Sequence, residues 1–261
     1  MWGAIIGDFS GSIYEYGQTK TISEISIDSL IPSNSFYSDD TILTIAILEA
    51  VLNDKDYEFY LKKYAKMFQN YKPNFEPYFK HPFSSSFLKW ANNSETNLGT
   101  SRGNGAMMRI SPVGYLFNIQ AEVIENAKKA TIPSHNSEEA IICATYVALI
   151  IYLARKKYSK EAIIQELNLN YNYSSFKNFN STCYQTIDNC LYALFTSNSF
   201  EEAIKKVMSF GGDTDTNACI VGSMAEALYG IDENLIELVK PKLPKEFVEI
   251  VEKGYSRIRK L

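Results

Sequence analysis

Histidine is nearly absent: His81 and His135 are the only two in 261 residues. That scarcity excludes a zinc site built on several imidazoles, and a phosphohydrolase that relies on several histidine ligands. Any metal must be held by oxygen, which points to Mg²⁺, Mn²⁺ or Ca²⁺. Cysteine is sparse as well. Cys143, Cys183, Cys190 and Cys219 form no C-x-x-C pair, and a chain this long has no need of a disulfide scaffold. They are expected to be reduced core residues in a cytoplasmic protein. No run of four Lys or Arg occurs, and the formal charge is −4. A protein built to grip nucleic acid or an anionic membrane would carry a clustered basic face, so neither partner is expected. Long apolar runs are missing too. The longest, Ala140–Ala154, carries Thr145, Tyr146 and Tyr152 and is shorter than the roughly 20 residues that span a bilayer. The start Met1–Ile6 has no basic flank and soon meets Asp8, which is not the pattern of a secretory signal.

What is present is a substantial core. Hydrophobic residues make up 46% of the chain, and the length is near the upper end of what one core can hold. A single domain over residues 1–261 and a monomer are therefore expected. The dominant period is helical. Asp40–Leu52 carries Ile42, Ile45, Ala46, Leu48 and Leu52 on one stripe. Tyr57–Tyr71 reads as a more polar helix. Ser137–Ala154 is apolar nearly all round, as in a helix at the centre of a bundle. Phe200–Phe210, Asp215–Tyr229, Glu233–Lys240 and Lys245–Lys260 continue the pattern, with Pro241 and Pro244 separating the last two. Strand signals are confined to Thr21–Leu30. Residues 71–104 and 170–182, rich in Asn, Ser, Pro and Tyr, read as long loops, and such loops in compact domains tend to be functional.

Two acidic clusters open apolar helices: Ser38-Asp39-Asp40-Thr41, and Gly211-Gly212-Asp213-Thr214-Asp215-Thr216-Asn217. Carboxylates are favoured at helix N-termini by free N–H groups and the helix dipole. Capping alone accounts for Ser38-Asp39. It accounts less well for the second cluster, where two acids and two threonines crowd one turn opened by two glycines. Asp39, Asp40, Asp213 and Asp215 brought together would repel one another unless cations lay between them. The hydroxyls of Ser38 and Thr216 would complete the oxygen shells. The clusters stand 213 − 40 = 173 residues apart, so only the fold can unite them, and the calcium-loop pattern D-x-D-x-D-G is absent.

Three further elements stand out. In Gly3–Glu15, Gly7 and Gly11 share one helical face, where another backbone can approach closely. Glu15 lies two turns on from Asp8 and can project towards a pocket. Ser101-Arg102-Gly103-Asn104-Gly105 precedes an apolar segment and can present N–H groups to a phosphate; such loops are as often mere turns. Pro133-Ser134-His135-Asn136 places a histidine ahead of a helix, where it is more often a cap or a buried hydrogen-bonding residue.

Taken together and in this order, from Gly3 to Gly230, these five elements resemble the ADP-ribosylhydrolase (ADP-ribosylglycohydrolase) family, which includes the enzyme that reactivates dinitrogenase reductase. The GGDTDTNA stretch is the most specific part. The resemblance implies an all-α orthogonal helical bundle around a two-metal centre, with two Mg²⁺ and Mn²⁺ as an alternative. It implies metal ligation by Ser38, Asp39, Asp40, Asp213, Asp215 and Thr216; the family often has Thr at the position of Ser38, so the hydroxyl is kept. It also implies that Glu15 stands near the scissile bond, and that Ser101, Gly103, Asn104, Gly105, Ser134 and His135 face ADP-ribose. The activity implied is hydrolysis of the glycosidic bond between ADP-ribose and an acceptor, with an ADP-ribosylated protein or a small ADP-ribose conjugate as partner. Such a cleavage builds positive charge at the anomeric carbon. Glu15 or one of the ligand aspartates, Asp39 or Asp40, would then take a water's proton. Glu76 lies among Tyr71, Phe75, Tyr78 and Phe79 and is the only acid between Phe59 and Ser94. That setting suits a guanidinium and favours arginine as acceptor. Two other readings stay open: an all-α magnesium enzyme acting on diphosphates, and a non-catalytic ADP-ribose-binding protein. Against the first, Asp39-Asp40-Thr41-Ile42-Leu43 lacks the third acid of D-D-x-x-D.

Overall fold

A computed structural model describes residues 1–17, 29–53, 55–73, 81–93, 98–173 and 179–260. Among them the regular elements are all helical, and the only bridges are two isolated ones, Thr100 with His135 and Gly103 with Thr182. The all-α class is as expected. In chain order come α1 (Trp2–Gly17), α2 (Asp39–Leu52), α3 (Tyr57–Phe68), α4 (Ser85–Asn92) and α5 (Gly105–Met108). Then follow α6 (Ser111–Leu116), α7 (Gln120–Thr131), α8 (Glu138–Arg155), α9 (Lys160–Glu166) and α10 (Cys183–Phe195). The chain closes with α11 (Phe200–Met208), α12 (Thr214–Tyr229), α13 (Glu233–Val239) and α14 (Lys245–Ile258). No described helix is long and apolar enough to cross a membrane.

Side-chain oxygens start many of these helices. Ser38, Ser84, Ser137, Ser159 and Ser199 each accept a backbone N–H of the first turn, and Thr182 with Gln185 forms a reciprocal capping box. Each such cap contributes about 1 kcal/mol. The expected helices end within a few residues of their predicted bounds. Pro241 sits in a 3₁₀ turn, Lys240–Lys242, and Pro244 immediately precedes α14. The stretch 71–104, read as a loop, contains α4. That helix is short and buries only Ala91 fully, so its apolar period is too brief to stand out. Most of Thr21–Leu30, expected to be extended, lies outside the described residues, as does Glu76.

α1 and α12 form the centre. Gly3, Gly7 and Gly11 face α12 at spacings of four: a β-carbon on Gly7 would fall 2.1 Å from the Ala218 carbonyl oxygen, and one on Gly11 would fall 2.4 Å from the Asp215 Cα. The two backbones touch, which is the close approach foreseen at Gly7 and Gly11. α8, α10 and α11 pack around α12, while α2 carries α3, α6 and α14 on its other sides. One cluster of buried apolar side chains runs from Met1 to Val251.

Candidate active site

The α1–α12 contact carries Asp8 against the first turn of α12, and α2 begins beside both. Asp8 is fully buried. Its carboxylate accepts from Ser38 N (2.9 Å), Ser38 Oγ (2.8 Å), Thr41 N (3.1 Å) and Thr41 Oγ1 (2.6 Å). Asp8 thus ties α1 to the N-terminus of α2. Ser38 Oγ caps α2 and lies 3.0 Å from Asp40 Oδ2, the oxygen to which Thr216 Oγ1 donates (3.2 Å). The two acidic clusters, 213 − 40 = 173 residues apart in sequence, therefore meet.

Carboxylate oxygens of Asp8, Asp40 and Asp215 all lie within 4.8 Å of one another, and so do those of Glu15, Asp213 and Asp215. Asp215 belongs to both groups. Gly211 and Gly212 turn the chain into α12 with φ of 74° each, a conformation that side-chain-bearing residues rarely adopt. Asn180 Oδ1 accepts from Asp213 N (2.9 Å), and Asn104 Nδ2 donates to Asp213 Oδ2 (2.7 Å). Asp40 Oδ1 is buried with no hydrogen-bond partner among the described residues.

Such crowding raises the acids. Burial, then the neighbouring Asp215, pushes the Asp8 carboxyl up to about 7. Burial pushes Asp213 up to about 6, against the opposing pull of the Asn104 hydrogen bond. Asp39 and Asp40 are held well above the ordinary range by burial and then by Asp215, and Asp215 by burial and then by Asp213. A cation among these groups would reverse the effect, because its own charge would dominate the local field. The donor set, carboxylates and hydroxyls without sulfur or imidazole, fits a hard divalent ion. The bare Asp40 Oδ1 fits it as well, since a buried anionic oxygen without a partner is otherwise costly.

A cleft of about 330 Å³ opens over this cluster. Glu15, Asp39, Asp213, Asp215 and Thr216 form its floor, and Ser101, Gly103, Asn104, Gly105 and His135 one wall. His81, Phe83 and Phe87 stand on another side. Ser38 and Asp40 are buried and absent from the lining. Ser134 lies behind His135 and lines an adjoining cavity of about 340 Å³ with Trp90 and Thr100. Sequence reasoning passed over Asp8, Arg109 and Asn180. The signal for Asp8 was an acid inside an apolar glycine-spaced segment; Asn180 sits in a polar stretch with nothing to distinguish it.

A family model described as ADP-ribosylglycohydrolase matches residues 1–261. The chain is 26% identical over 180 residues to the ADP-ribosylarginine hydrolase Tri1 of Pseudomonas putida (strain GB-1). That match covers 63% of this chain and 45% of that protein, so the chain spans less than half the length of this relative. It is 20% identical over 307 residues to the ADP-ribosylhydrolase ARH3 of Mus musculus, covering 88% of this chain and 83% of that protein. Among solved structures, the "ADP-ribosylglycohydrolase-related protein complex" superposes with a TM-score of 0.70 at 19% identity, covering 98% of this chain and 93% of that one. At that identity the likeness concerns the fold.

Proposed function

We propose, since the chain belongs to the ADP-ribosylglycohydrolase family, that it hydrolyses the glycosidic bond between ADP-ribose and an acceptor, with metal assistance. The observation that carries this reading is the meeting of Asp40, Asp213 and Asp215 beneath a cleft walled by Gly103, Asn104 and Gly105. Asp39, Asp40, Asp213, Asp215 and Thr216, with Ser38 and Asp8 behind them, would hold two Mg²⁺ or Mn²⁺. When bound, such ions orient the ribose hydroxyls and lower the pKa of a water.

The rest of the chemistry falls to side chains. Glu15 is half-buried and lines the cleft, with its carboxyl beside those of Asp213 and Asp215. In this reading its carboxylate takes the proton of the attacking water while positive charge builds at the anomeric carbon. The glycines at 103 and 105 leave room for a diphosphate against the backbone. Arginine is the favoured acceptor. Its support is the aromatic setting of Glu76 in the sequence and the likeness to a relative named for ADP-ribosylarginine.

The test is to supply ADP-ribose linked to arginine, to serine and to a small acyl group, and to measure free ADP-ribose with Mg²⁺ and with excess chelator. Release from the arginine conjugate that the chelator abolishes is expected. Full activity in chelator would remove the metals from the reading. Release from the serine conjugate alone would remove arginine. Binding of ADP-ribose with no release from any conjugate would leave a non-catalytic binding protein.

A further inference from the structure

Arg109 follows α5 directly and, among the described residues, is the bulkiest side chain that is fully buried. A guanidinium offers five donors and no acceptor, so burying one demands partners. Only Nη2 has them: it donates to Ser134 Oγ at 2.7 Å and reaches His135 Nδ1 at 3.4 Å. Nε and Nη1 are buried without a hydrogen-bond partner among the described residues, and no salt bridge within 4 Å reaches the group there. What offsets its burial is the Phe87 ring at 5.9 Å, the Cys183 sulfur and the charge of Asp39. An apolar side chain of similar volume would be cheaper at this position.

The cost is informative because of what the one engaged nitrogen can do. Arg109 Nη2 can only donate. Ser134 Oγ therefore accepts from it and is left with its own proton for His135 Nδ1, 2.8 Å away. Nδ1 then accepts from Ser134 with the donor-only Arg109 Nη2 also facing it, and the ring proton belongs on Nε2. Nε2 faces the cleft wall: a β-carbon on Gly103 or Gly105 would lie 3.4 or 3.5 Å from it. The hydrogen bonds of the ring among the described residues are both at Nδ1, and His135 lines the cleft. The backbone holds the ring in place, with His135 N donating to Thr131 O (2.9 Å) and Asn136 N to Gly99 O (2.7 Å).

We propose that Arg109 is a positioning residue: acting through Ser134, it fixes His135 as the neutral Nε2–H tautomer, aimed at a ligand oxygen lying along Gly103–Gly105. The inference rests on the reading that this cleft takes ADP-ribose, whose diphosphate and ribose supply such oxygens. Burial, and then the Arg109 charge, also hold the imidazole well below its usual range, which keeps the ring neutral.

The experiment uses the full chain labelled with ¹⁵N. Long-range ¹H–¹⁵N spectra report which imidazole nitrogen carries the proton, and only His81 and His135 contribute. The exposed His81 serves as the internal reference. At neutral pH wild-type His135 should show a bare Nδ1 and a protonated Nε2. In R109M the two nitrogens should move towards a mixed population. ADP-ribose should bind about tenfold more weakly, as for a lost hydrogen bond to a charged oxygen, with KM affected more than kcat. R109K, which keeps a cationic donor, should restore much of both. S134A carries the same test with Arg109 intact, should R109M not fold. A proton on Nδ1 in the wild type would overturn the proposal, and so would an unchanged tautomer in both R109M and S134A. The expected tautomer in a protein that binds no ADP-ribose would refute the functional reading instead, leaving the assignment of the ring standing.

Discussion

The acid cluster should make the metal-free protein less stable as pH rises, and divalent cations should reverse that trend. Burial lifts the Asp213 carboxyl from its ordinary 3.8 to about 6. A group raised in this way keeps its proton in the folded state over a range where the unfolded chain has released it. Folding is then favoured at low pH, and the advantage is lost as pH climbs from about 4 to about 6 for Asp213, and to about 7 for Asp8. For Asp213 alone, the difference costs the folded state about 3 kcal/mol once the carboxyl ionises. In a chain of this size that is a melting-temperature loss of roughly 6 to 12 °C. Cations bound between ionised carboxylates remove the cost and add binding energy of their own. The assay is a set of thermal melts at pH 5 and pH 8, each in excess chelator and in millimolar Mg²⁺. The stabilisation by Mg²⁺ should be small at pH 5 and large at pH 8. Equal stabilisation at the two pH values, or none at either, would refute the argument that these carboxylates are unpaired until a cation arrives.

Three further outcomes follow from single side chains. Gly11→Ala places a β-carbon 2.4 Å from the Asp215 backbone and should cost roughly 3 kcal/mol by urea denaturation; a variant of unchanged stability would mean that α1 and α12 do not touch there. Asp40→Asn removes a like charge and should raise the chelator-treated melting temperature while shrinking the response to Mg²⁺; a metal-free protein less stable than wild type would make Asp40 a structural cap. Glu15→Gln should retain ADP-ribose affinity by calorimetry and lose roughly a hundredfold or more in turnover, and unchanged turnover would take Glu15 out of the mechanism.

The parts of this molecule that could be read from the chain share a physical property: they are short-range patterns with strong periodicity or unusual local chemistry. Asp40–Leu52 and Asp215–Tyr229 repeat apolar residues over several turns, so their helices were plain. The Gly7 and Gly11 spacing announced a close backbone contact, though not that α12 supplies it. α4 was missed because its eight residues hold barely two turns of pattern. The acidic segments were conspicuous because four aspartates cannot share a site without compensation, and that argument needs no knowledge of the path between them.

Asp8 shows where such reading stops. In sequence it is one acid in an apolar helix, with nothing to say which neighbour it meets. Its significance arises only when Gly7 and Gly11 let α12 approach and α2 starts against the same turn, so that Ser38 and Thr41 both donate to its carboxylate. Arg109 is similar: its meaning lies in one hydrogen bond to Ser134, 25 residues away. Residues of this kind act by holding the conspicuous ones in place. A cluster of like charges must be held from outside by neutral donors such as Ser38, Thr41 and Asn104, because the acids themselves only repel. The supporting shell is therefore drawn from whatever elements the fold brings near, and no local pattern in the chain can mark it.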